Sequence, residues 1–334
     1  MSTATRSPHR LCTAPMMDWS DRHCRYFFRL LAPHARLYTE MVTTGALLHG
    51  DVERHLRFDR AESPVALQLG GSEPDALAAC ARLGAAQGYD EINLNCGCPS
   101  ERVQQGAFGA CLMREPELVA DCVRAMQEVV RVPVTVKHRL GVDAIESFDF
   151  VERFVKVVAD AGCDTFIVHA RNAILSGLSP KGNRSVPRLR YDDVYRLKRE
   201  FPQLAIVVNG GVDAPSASAA HLTRVDGVML GRAAYHDSYL LAALDAQLFG
   251  GSPASRADVV RAMASYAARE AASGTPLRAI VRHMLGLYQG QPRARLWRRL
   301  LSDPSRLASH DPRLLLEALA LVEGNGAREL EAAA

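Results

Sequence analysis

Apolar and β-branched runs alternate with amphipathic stretches along the first two thirds of the chain. Most of the stretches between the runs repeat apolar residues at helical spacing, as in PELVADCVRAMQEVV. Eight runs are typical of buried strands, at residues 10–17, 35–42, 64–71, 91–97, 133–141, 164–170, 204–211 and 226–232. Because strands that alternate with helices pair in parallel, the pattern predicts an α/β fold, the (β/α)8 TIM barrel. A doubly wound open sheet is the alternative, although the G-x-G-x-x-G turn typical of it does not follow the first run.

The pattern changes at the turn-rich sequence GGSPAS, after which no strand-like run follows. The remaining periodic stretches predict helices at 257–272, 278–289, 294–302 and 311–324. The sequence therefore predicts three regions along the chain. They are a flexible N-terminal segment at residues 1–9, a barrel at 10–249 and a small all-helical C-terminal domain at 250–334.

Composition narrows the function classes. With 334 residues, 48% of them hydrophobic and 23% charged, the chain can bury a large core, which excludes disordered and fibrous proteins. No apolar stretch is long enough to span a membrane and the N-terminus has no apolar leader, so we expect a cytoplasmic protein. The eight cysteines form no CxxC pair, which predicts reduced thiols and no metal site.

The net charge of +3 is too small to indicate a nucleic-acid partner by itself. Residues 278–306, however, carry seven arginines and a single acidic residue, Asp303. Such a cationic segment is typical of a surface that contacts a phosphate backbone, and a solvated helix face is the alternative. The helical domain is therefore a candidate nucleic-acid surface.

The strand ends carry the candidate chemistry, because functional residues of a barrel lie at the carboxyl ends of its strands. Asn209-Gly210-Gly211 and Gly231-Arg232 end the last two runs, which indicates a phosphate site, with ordinary tight turns as the alternative. Lys137 lies near the end of the fifth run and could form a Schiff base, lie beside an anionic cofactor ring or make a structural ion pair. His169 ends the sixth run and is a candidate phosphate or ribityl ligand, or a core histidine.

The segment NCGCPS at 95–100 follows the fourth run. Gly97 and Pro99 fix a tight loop around Cys98, which can act there as a nucleophile or as a proton donor. Cys96 follows the strand periodicity, so we expect it to pack in the core.

A series of motifs makes the chain similar to a known family. They are APMMDWSDRHCR at 14–25, LQLGG at 67–71, NLNCGCPS at 93–100, GACLM at 109–113, VKHR at 136–139, HARNAILSGLSPKGNR at 169–184, NGG at 209–211, DGVMLGRAAY at 226–235, RHMLGLYQG at 282–290 and ARLWRR at 294–299. Over about residues 10–300 the sequence resembles the tRNA-dihydrouridine synthases, and most closely their A subfamily (DusA).

The resemblance implies an FMN-containing barrel with a helical tRNA-binding domain. It implies NADPH-dependent reduction of uridine to 5,6-dihydrouridine at positions 20 and 20a of the tRNA D-loop, with hydride delivered from flavin N5 to C6. Cys98 would give the proton to C5. Implied FMN contacts are Pro15, Met16, Met17, Gln68, Lys137, His169, Asn209, Gly210, Gly211, Gly231 and Arg232. Implied tRNA contacts are Asn95, Arg171, Lys181, Asn183, Arg184, Arg295 and Arg298. We expect a monomer, with tRNA as its partner and no protein partner.

Three other functions stay open from the sequence alone. One is a different FMN barrel that acts on a small pyrimidine such as dihydroorotate. Another is a tRNA-binding protein without catalysis, and the third is a Schiff-base aldolase that uses Lys137.

Overall fold

The computed structural model describes residues 7–324, which form two compact units. The first unit contains residues 7–20 and 35–231 and holds all eight strands, and the second contains residues 21–34 and 232–324 and is helical. Within residues 7–324, no helix combines the length and the apolar character that crossing a membrane requires.

The strands of the first unit are parallel and form one sheet in the order β1-β8-β7-β6-β5-β4-β3-β2. Their bounds are β1 Leu11–Thr13, β2 Leu37–Thr43, β3 Val65–Gly70, β4 Glu91–Cys96, β5 Val134–Arg139, β6 Thr165–His169, β7 Ala205–Asn209 and β8 Gly227–Leu230. A parallel bridge between Cys12 and Arg36 joins β1 to the residue just before β2 and closes the ring. The predicted TIM barrel is therefore confirmed, and the open doubly wound sheet is wrong.

Helices follow most strands, as the alternating pattern predicts. In the barrel unit the α-helices are α2 Thr44–His49, α3 Val52–Leu56, α4 Pro74–Gln87, α5 Glu101–Gln105, α6 Pro116–Val129, α7 Phe148–Asp160, α8 Tyr191–Glu200 and α9 Pro215–His221. α4 and α6 each begin with a proline in the first turn, where the missing N–H has no helical partner to lose. Gly88 caps α4 directly after Gln87, and its φ of +98° is the left-handed conformation that favours glycine.

The second unit is all helical within its described residues. Its helices are α1 Arg22–Leu31, α10 Arg232–His236, α11 Tyr239–Phe249, α12 Arg256–Ala272, α13 Leu277–Val281, α14 Ala294–Leu301, α15 Pro304–Leu307 and α16 Arg313–Glu323. The compact units thus join residues 21–34 and 232–249 to the helical part, whereas the boundary drawn from the sequence placed both segments in the barrel.

One helix of this unit is shorter than predicted. The periodic stretch 278–289 is helical only as far as Val281 and continues as a series of turns. A Cβ on Gly286 would lie 2.5 Å from the backbone oxygen of His236, so this position requires a glycine in close contact. The carbonyl oxygen of Met284 accepts the backbone N–H of Leu287 at 3.0 Å, a turn bond, and the indole N–H of Trp297 at 2.9 Å.

A buried polar cluster lies at the amino ends of the strands, on the barrel floor. Glu91 is fully buried there, and its Oε1 accepts hydrogen bonds from the hydroxyls of Thr135 at 2.6 Å and Tyr38 at 2.8 Å. Its Oε2 lies 2.6 Å from Nε2 of His9 and 3.3 Å from Nη1 of Arg36. Burial alone would raise the pKa of Glu91, but these hydrogen bonds and cations hold it below its ordinary value. Glu91 is therefore a carboxylate at neutral pH.

This cluster also bears on the N-terminal segment that was expected to be flexible at residues 1–9. Residues 1–6 lie outside the described part of the chain. His9 is buried against Glu91, so the chain is already part of the barrel floor at this position.

Candidate active site

The carboxyl ends of the strands meet at one end of the barrel, the mouth. β4 carries Asn95 and leads to Cys98, β5 carries Lys137, and β6 and β7 end at His169 and Asn209. Backbone pairing places Asn95 opposite Lys137, and His169 opposite Asn209. Five of the predicted site residues therefore converge on the mouth.

Cys98 lies on a loop whose backbone is held from two sides. Oδ1 of Asn95 accepts hydrogen bonds from the backbone N–H groups of Gly97 and Cys98, each at 3.0 Å. The carbonyl oxygen of Cys98 accepts a bond from the N–H of Ala110 at 2.9 Å. Cys98 as a residue is partly exposed, and its Sγ donates to Oγ of Ser100 at 3.5 Å. The loop thus presents the thiol while its backbone is fixed.

The other cysteines differ from Cys98 in exposure or in setting. Six of the eight are buried, and only Cys98 and Cys111 are partly exposed. Burial raises the pKa of Cys96 well above its usual value, which suits the packing role predicted for it. Burial also raises the pKa of Cys111, whose Sγ donates to the carbonyl oxygen of Phe108 at 2.9 Å. Within residues 7–324 no group of His, Cys, Asp and Glu side chains could hold a metal ion.

Lys137 is a partly enclosed cation without a carboxylate partner among the residues that the structure describes. Its Nζ donates to Oδ1 of Asn209 at 3.1 Å. Burial, and then the nearby charge of Arg139, lower the pKa of Lys137 to about 7. An anionic group bound beside Lys137 would remove this penalty.

The lowered pKa predicts an unusually reactive amine at Lys137 in the ligand-free protein. Lys137 loses its proton near pH 7, so its acylation by limiting acetic anhydride should rise through pH 7 and level off by about pH 8. Mass spectrometry of labelled peptides checks this, with the exposed Lys181 as the reference. A Lys137 profile that still rises between about pH 9 and 10 would contradict the enclosed-cation description.

His169 lies in a strongly cationic environment. Burial lowers its pKa well below the usual value, and the charges of Arg139 and Lys137 lower it further. The two residues directly after β7, Gly210 and Gly211, have φ of +101° and +71°, a backbone conformation that favours glycine. A Cβ on Gly210 would lie 2.7 Å from Cδ2 of His169. A neutral imidazole and a glycine turn therefore lie side by side at the end of β6 and β7.

The residues after β1 and β8 form another side of the mouth. Met16 packs on the interior cluster of the barrel, and its Sδ would lie 3.9 Å from a Cβ on Gly231. Pro15 is half-buried, and Met17 is an exposed apolar side chain at 58%. Arg232 is the next residue after Gly231, begins α10 and belongs to the helical unit.

Gln68 is more enclosed than a residue expected to touch a ligand. Its side chain is 1% exposed and is hydrogen-bonded to Asn93 and Asn95, on the neighbouring strand β4. A ligand that reached Gln68 would have to displace the atoms that cover it. In this structure Gln68 is foremost a member of a buried network.

The predicted tRNA contacts fall into two groups. Lys181, Arg184 and Arg295 are exposed, while Arg171 and Arg298 are half-exposed. Arg171 donates to the backbone oxygens of Ser185 and Pro187, and Arg298 donates to Oε1 of Gln289 at 2.9 Å. Lys181, Arg184 and Arg295 therefore present cationic side chains to solvent, whereas the Nε of Arg171 is buried.

Asn183 does not belong to this exposed group. It is fully buried, its Oδ1 accepts the N–H of Ile174 at 2.7 Å, and its Nδ2 donates to the carbonyl oxygens of Ile174 and Leu178. Its hydrogen-bonding capacity is used by its own loop. We therefore correct the expected RNA contact to a role in holding this loop.

Arg139 is a site residue that the sequence reasoning missed. Its guanidinium is buried and donates to the carbonyl oxygens of Gly97, Asn172 and Asn183 at 3.1, 3.0 and 2.9 Å. It thereby ties the Cys98 loop to the loop after β6. The signal was its position at the last residue of β5, where a charged side chain is expensive to bury without such partners.

Fold and site together define a closed TIM barrel whose mouth combines a presented thiol with a cationic cluster. The chain matches the sequence model described as "Dihydrouridine synthase (Dus)" over residues 12–323. It is 56% identical over 316 residues to the tRNA-dihydrouridine(20/20a) synthase of Escherichia coli (strain K12), covering 94% of this chain and 91% of that one. The synthase of the same name from Synechocystis sp. is 54% identical over 318 residues, 95% of each chain. The chain therefore belongs to the dihydrouridine synthase family.

A solved structure of 2-naphthoyl-CoA reductase with 2-naphthoyl-CoA is similar in fold alone. Its TM-score is 0.53 at 12% identity, over 72% of this chain and 50% of that chain.

Proposed function

We propose that the chain is an FMN-dependent enzyme that uses NADPH to reduce uridines 20 and 20a of tRNA to 5,6-dihydrouridine. The observation that carries the proposal is the mouth itself, where a presented thiol at Cys98 adjoins the cations Lys137 and Arg139. The names of the relatives at 54% and 56% identity supply the tRNA positions. We further propose that the protein acts in the cytoplasm as a monomer.

The mouth has the donor chemistry that FMN requires. The charges with the greatest effect on the pKa of His169 are all cationic, so an anionic phosphate or a reduced flavin would be stabilised here. Gly210 and Gly211 let the backbone approach such a group closely. We propose that the barrel, residues 10–249, holds FMN through Pro15, Met16, Met17, Gln68, Lys137, His169, Asn209, Gly210, Gly211, Gly231 and Arg232.

The catalytic chemistry divides between the flavin and the protein. FMN held in the mouth would, when reduced by NADPH, supply the hydride that C6 of the uracil needs. Cys98 gives its thiol proton to C5. Because Cys98 is partly exposed, it can recover a proton from solvent afterwards. Lys137 places positive charge where negative charge develops. Asn95 fixes the Cys98 loop through the two backbone N–H groups.

The tRNA must deliver an unstacked base, because a uracil inside folded RNA cannot enter a barrel mouth. Contacts to the phosphate backbone can offset the cost of unstacking. We propose that Asn95 contacts the uracil and that Arg171, Lys181, Arg184, Arg295 and Arg298 contact the RNA. The helical region, residues 250–334, would then be the tRNA-binding domain.

The helical domain gives a direct test of RNA binding. Arg295→Ala with Arg298→Ala should weaken tRNA binding at low salt and reduce the slope of log Kd against log salt by about two, because each arginine neutralises one phosphate. Filter binding over a salt series measures the slope. The matched control is Arg261→Ala with Arg313→Ala, since these arginines of the same unit lie outside residues 278–306 and pair with Asp258 and Asp311. An unchanged slope in the first variant would show that α14 is not an RNA-binding surface.

The proposed reaction is tested by incubating purified protein, FMN and NADPH with unmodified tRNA transcripts and sequencing the products by mass spectrometry. A gain of two hydrogens at uridines 20 and 20a supports the function. Reduction of free uracil or oxidation of dihydroorotate, without tRNA modification, would favour the small-pyrimidine enzyme instead. Borohydride trapping of a carbonyl substrate on Lys137 would favour the aldolase. A protein that binds tRNA but no flavin would favour a non-catalytic role.

A further inference from the structure

An unbroken hydrogen-bond chain crosses the inside of the barrel from its floor to its mouth. Three of its members occupy alternate positions of β4. The neighbouring strands β3 and β5 contribute one residue each. In order from the floor they are Glu91, Thr135, Asn93, Gln68, Asn95 and the backbone N–H groups of Gly97 and Cys98. Four of the five side chains are at most 1% exposed, and Asn95 is 9% exposed.

The lower links begin at a carboxylate. Thr135 Oγ1 donates to Glu91 Oε1 at 2.6 Å, and Asn93 Nδ2 donates to Thr135 Oγ1 at 2.7 Å. Because the Glu91 carboxylate only accepts, the Thr135 hydroxyl must donate downwards and is left to accept from above. This fixes Asn93 with its Nδ2 towards the floor.

The upper links end at backbone amides. Gln68 Nε2 donates to Asn93 Oδ1 at 2.7 Å, and Asn95 Nδ2 donates to Gln68 Oε1 at 2.8 Å. Asn95 Oδ1 then accepts the two N–H groups of the Cys98 loop. Because backbone N–H groups only donate, Asn95 must turn its Oδ1 towards them and its Nδ2 towards Gln68. The direction of donation along the chain is therefore the same whether it is traced from these amides or from Glu91. The amide orientations of Asn93, Gln68 and Asn95 are therefore determined from both ends.

We propose that Thr135 and Asn93 are positioning residues. They link Glu91 on the floor to Asn95 through hydrogen bonds and so hold the Cys98 loop in place. The value of this arrangement for catalysis rests on the proposed function, whereas the coupling between floor and loop does not.

The test measures amide hydrogen exchange at Gly97 and Cys98 in the FMN-free full-length protein. Thr135→Val keeps the side-chain shape but breaks the chain, and should speed exchange at these two amides about tenfold, the effect of losing one buried hydrogen bond. Thr135→Ser restores the hydroxyl and should restore slow exchange. Near-ultraviolet circular dichroism and thermal unfolding confirm that each variant is folded.

Tyr38→Phe is the matched control. It removes an equivalent buried hydroxyl donor from the same Glu91 oxygen, at 2.8 Å against 2.6 Å for Thr135, but Tyr38 leads to no further link of the chain. It should leave exchange at Gly97 and Cys98 unchanged. If Thr135→Val does not fold, Asn93→Ala breaks the chain one link higher and carries the same expectation.

Two outcomes overturn the coupling. Exchange at Gly97 and Cys98 that is unchanged in a folded Thr135→Val or Asn93→Ala protein would do so, and so would equal acceleration by Tyr38→Phe. In the loaded enzyme, Thr135→Val should lower kcat on tRNA about tenfold. A wild-type protein with no activity on tRNA would overturn the proposed function, while the exchange result would still decide the coupling.

Discussion

Cys98→Ala is expected to lower turnover on tRNA at least about 100-fold, while FMN binding and flavin reduction by NADPH remain as in the wild-type protein. The reason is that alanine removes the proton donor for C5 but leaves the loop backbone, since its hydrogen bonds come from Asn95 and Ala110. Single-turnover kinetics separate the two half-reactions, with bleaching of the flavin by NADPH followed by its recovery on addition of tRNA.

Cys111→Ala is the matched control, because Cys111 is the other partly exposed cysteine among the described residues. It should retain activity on tRNA. Full activity in Cys98→Ala would exclude Cys98 as the acid and direct attention to Cys96 or to water. A loss of flavin reduction in the same variant would instead point to a damaged flavin site.

Glu91→Leu is expected to lower the free energy of unfolding by about 3–5 kcal/mol. The substitution leaves Arg36 buried without its carboxylate, and deprives the hydroxyls of Thr135 and Tyr38 of their acceptor. Urea unfolding measures the loss. Glu128→Leu, at an exposed position of α6, should change stability by no more than about 0.5 kcal/mol. A Glu91→Leu protein as stable as Glu128→Leu would show that the floor cluster contributes nothing to folding.

The same carboxylate predicts a pH dependence. The folded protein holds the pKa of Glu91 below the ordinary value of 4.5, so its stabilisation is present above that value and is lost as the pH falls through the lowered pKa. Glu91→Leu should therefore flatten the acid limb of the stability profile.

The strand positions were predictable because burial of parallel strands imposes continuous apolar runs on the sequence. Each of the eight observed strands overlaps one of the predicted runs, and the fourth and fifth runs correctly place Cys98 and Lys137 at the mouth. The helix at 278–289 was predicted too long, since periodicity does not register the close backbone contact at Gly286. Three-dimensional packing decides such positions.

The floor of the barrel was not predictable in the same way. Sequence reasoning examined the carboxyl ends of the strands, whereas Glu91 and Thr135 lie near the amino ends. In EINLNC the polar residues at alternate positions were a signal, since a period of two places Glu91, Asn93 and Asn95 on one face. Their partners come from other strands, and only the barrel register brings those together.

The visible absorption spectrum of the purified protein tests the central claim most directly, recorded before NADPH, after NADPH and after unmodified tRNA. The account predicts a flavin band that NADPH bleaches and that tRNA restores under anaerobic conditions, with dihydrouridine appearing in the RNA. A bleached band that oxygen restores but tRNA does not would contradict the proposed substrate. The absence of a flavin band even after addition of FMN would contradict the catalytic account as a whole.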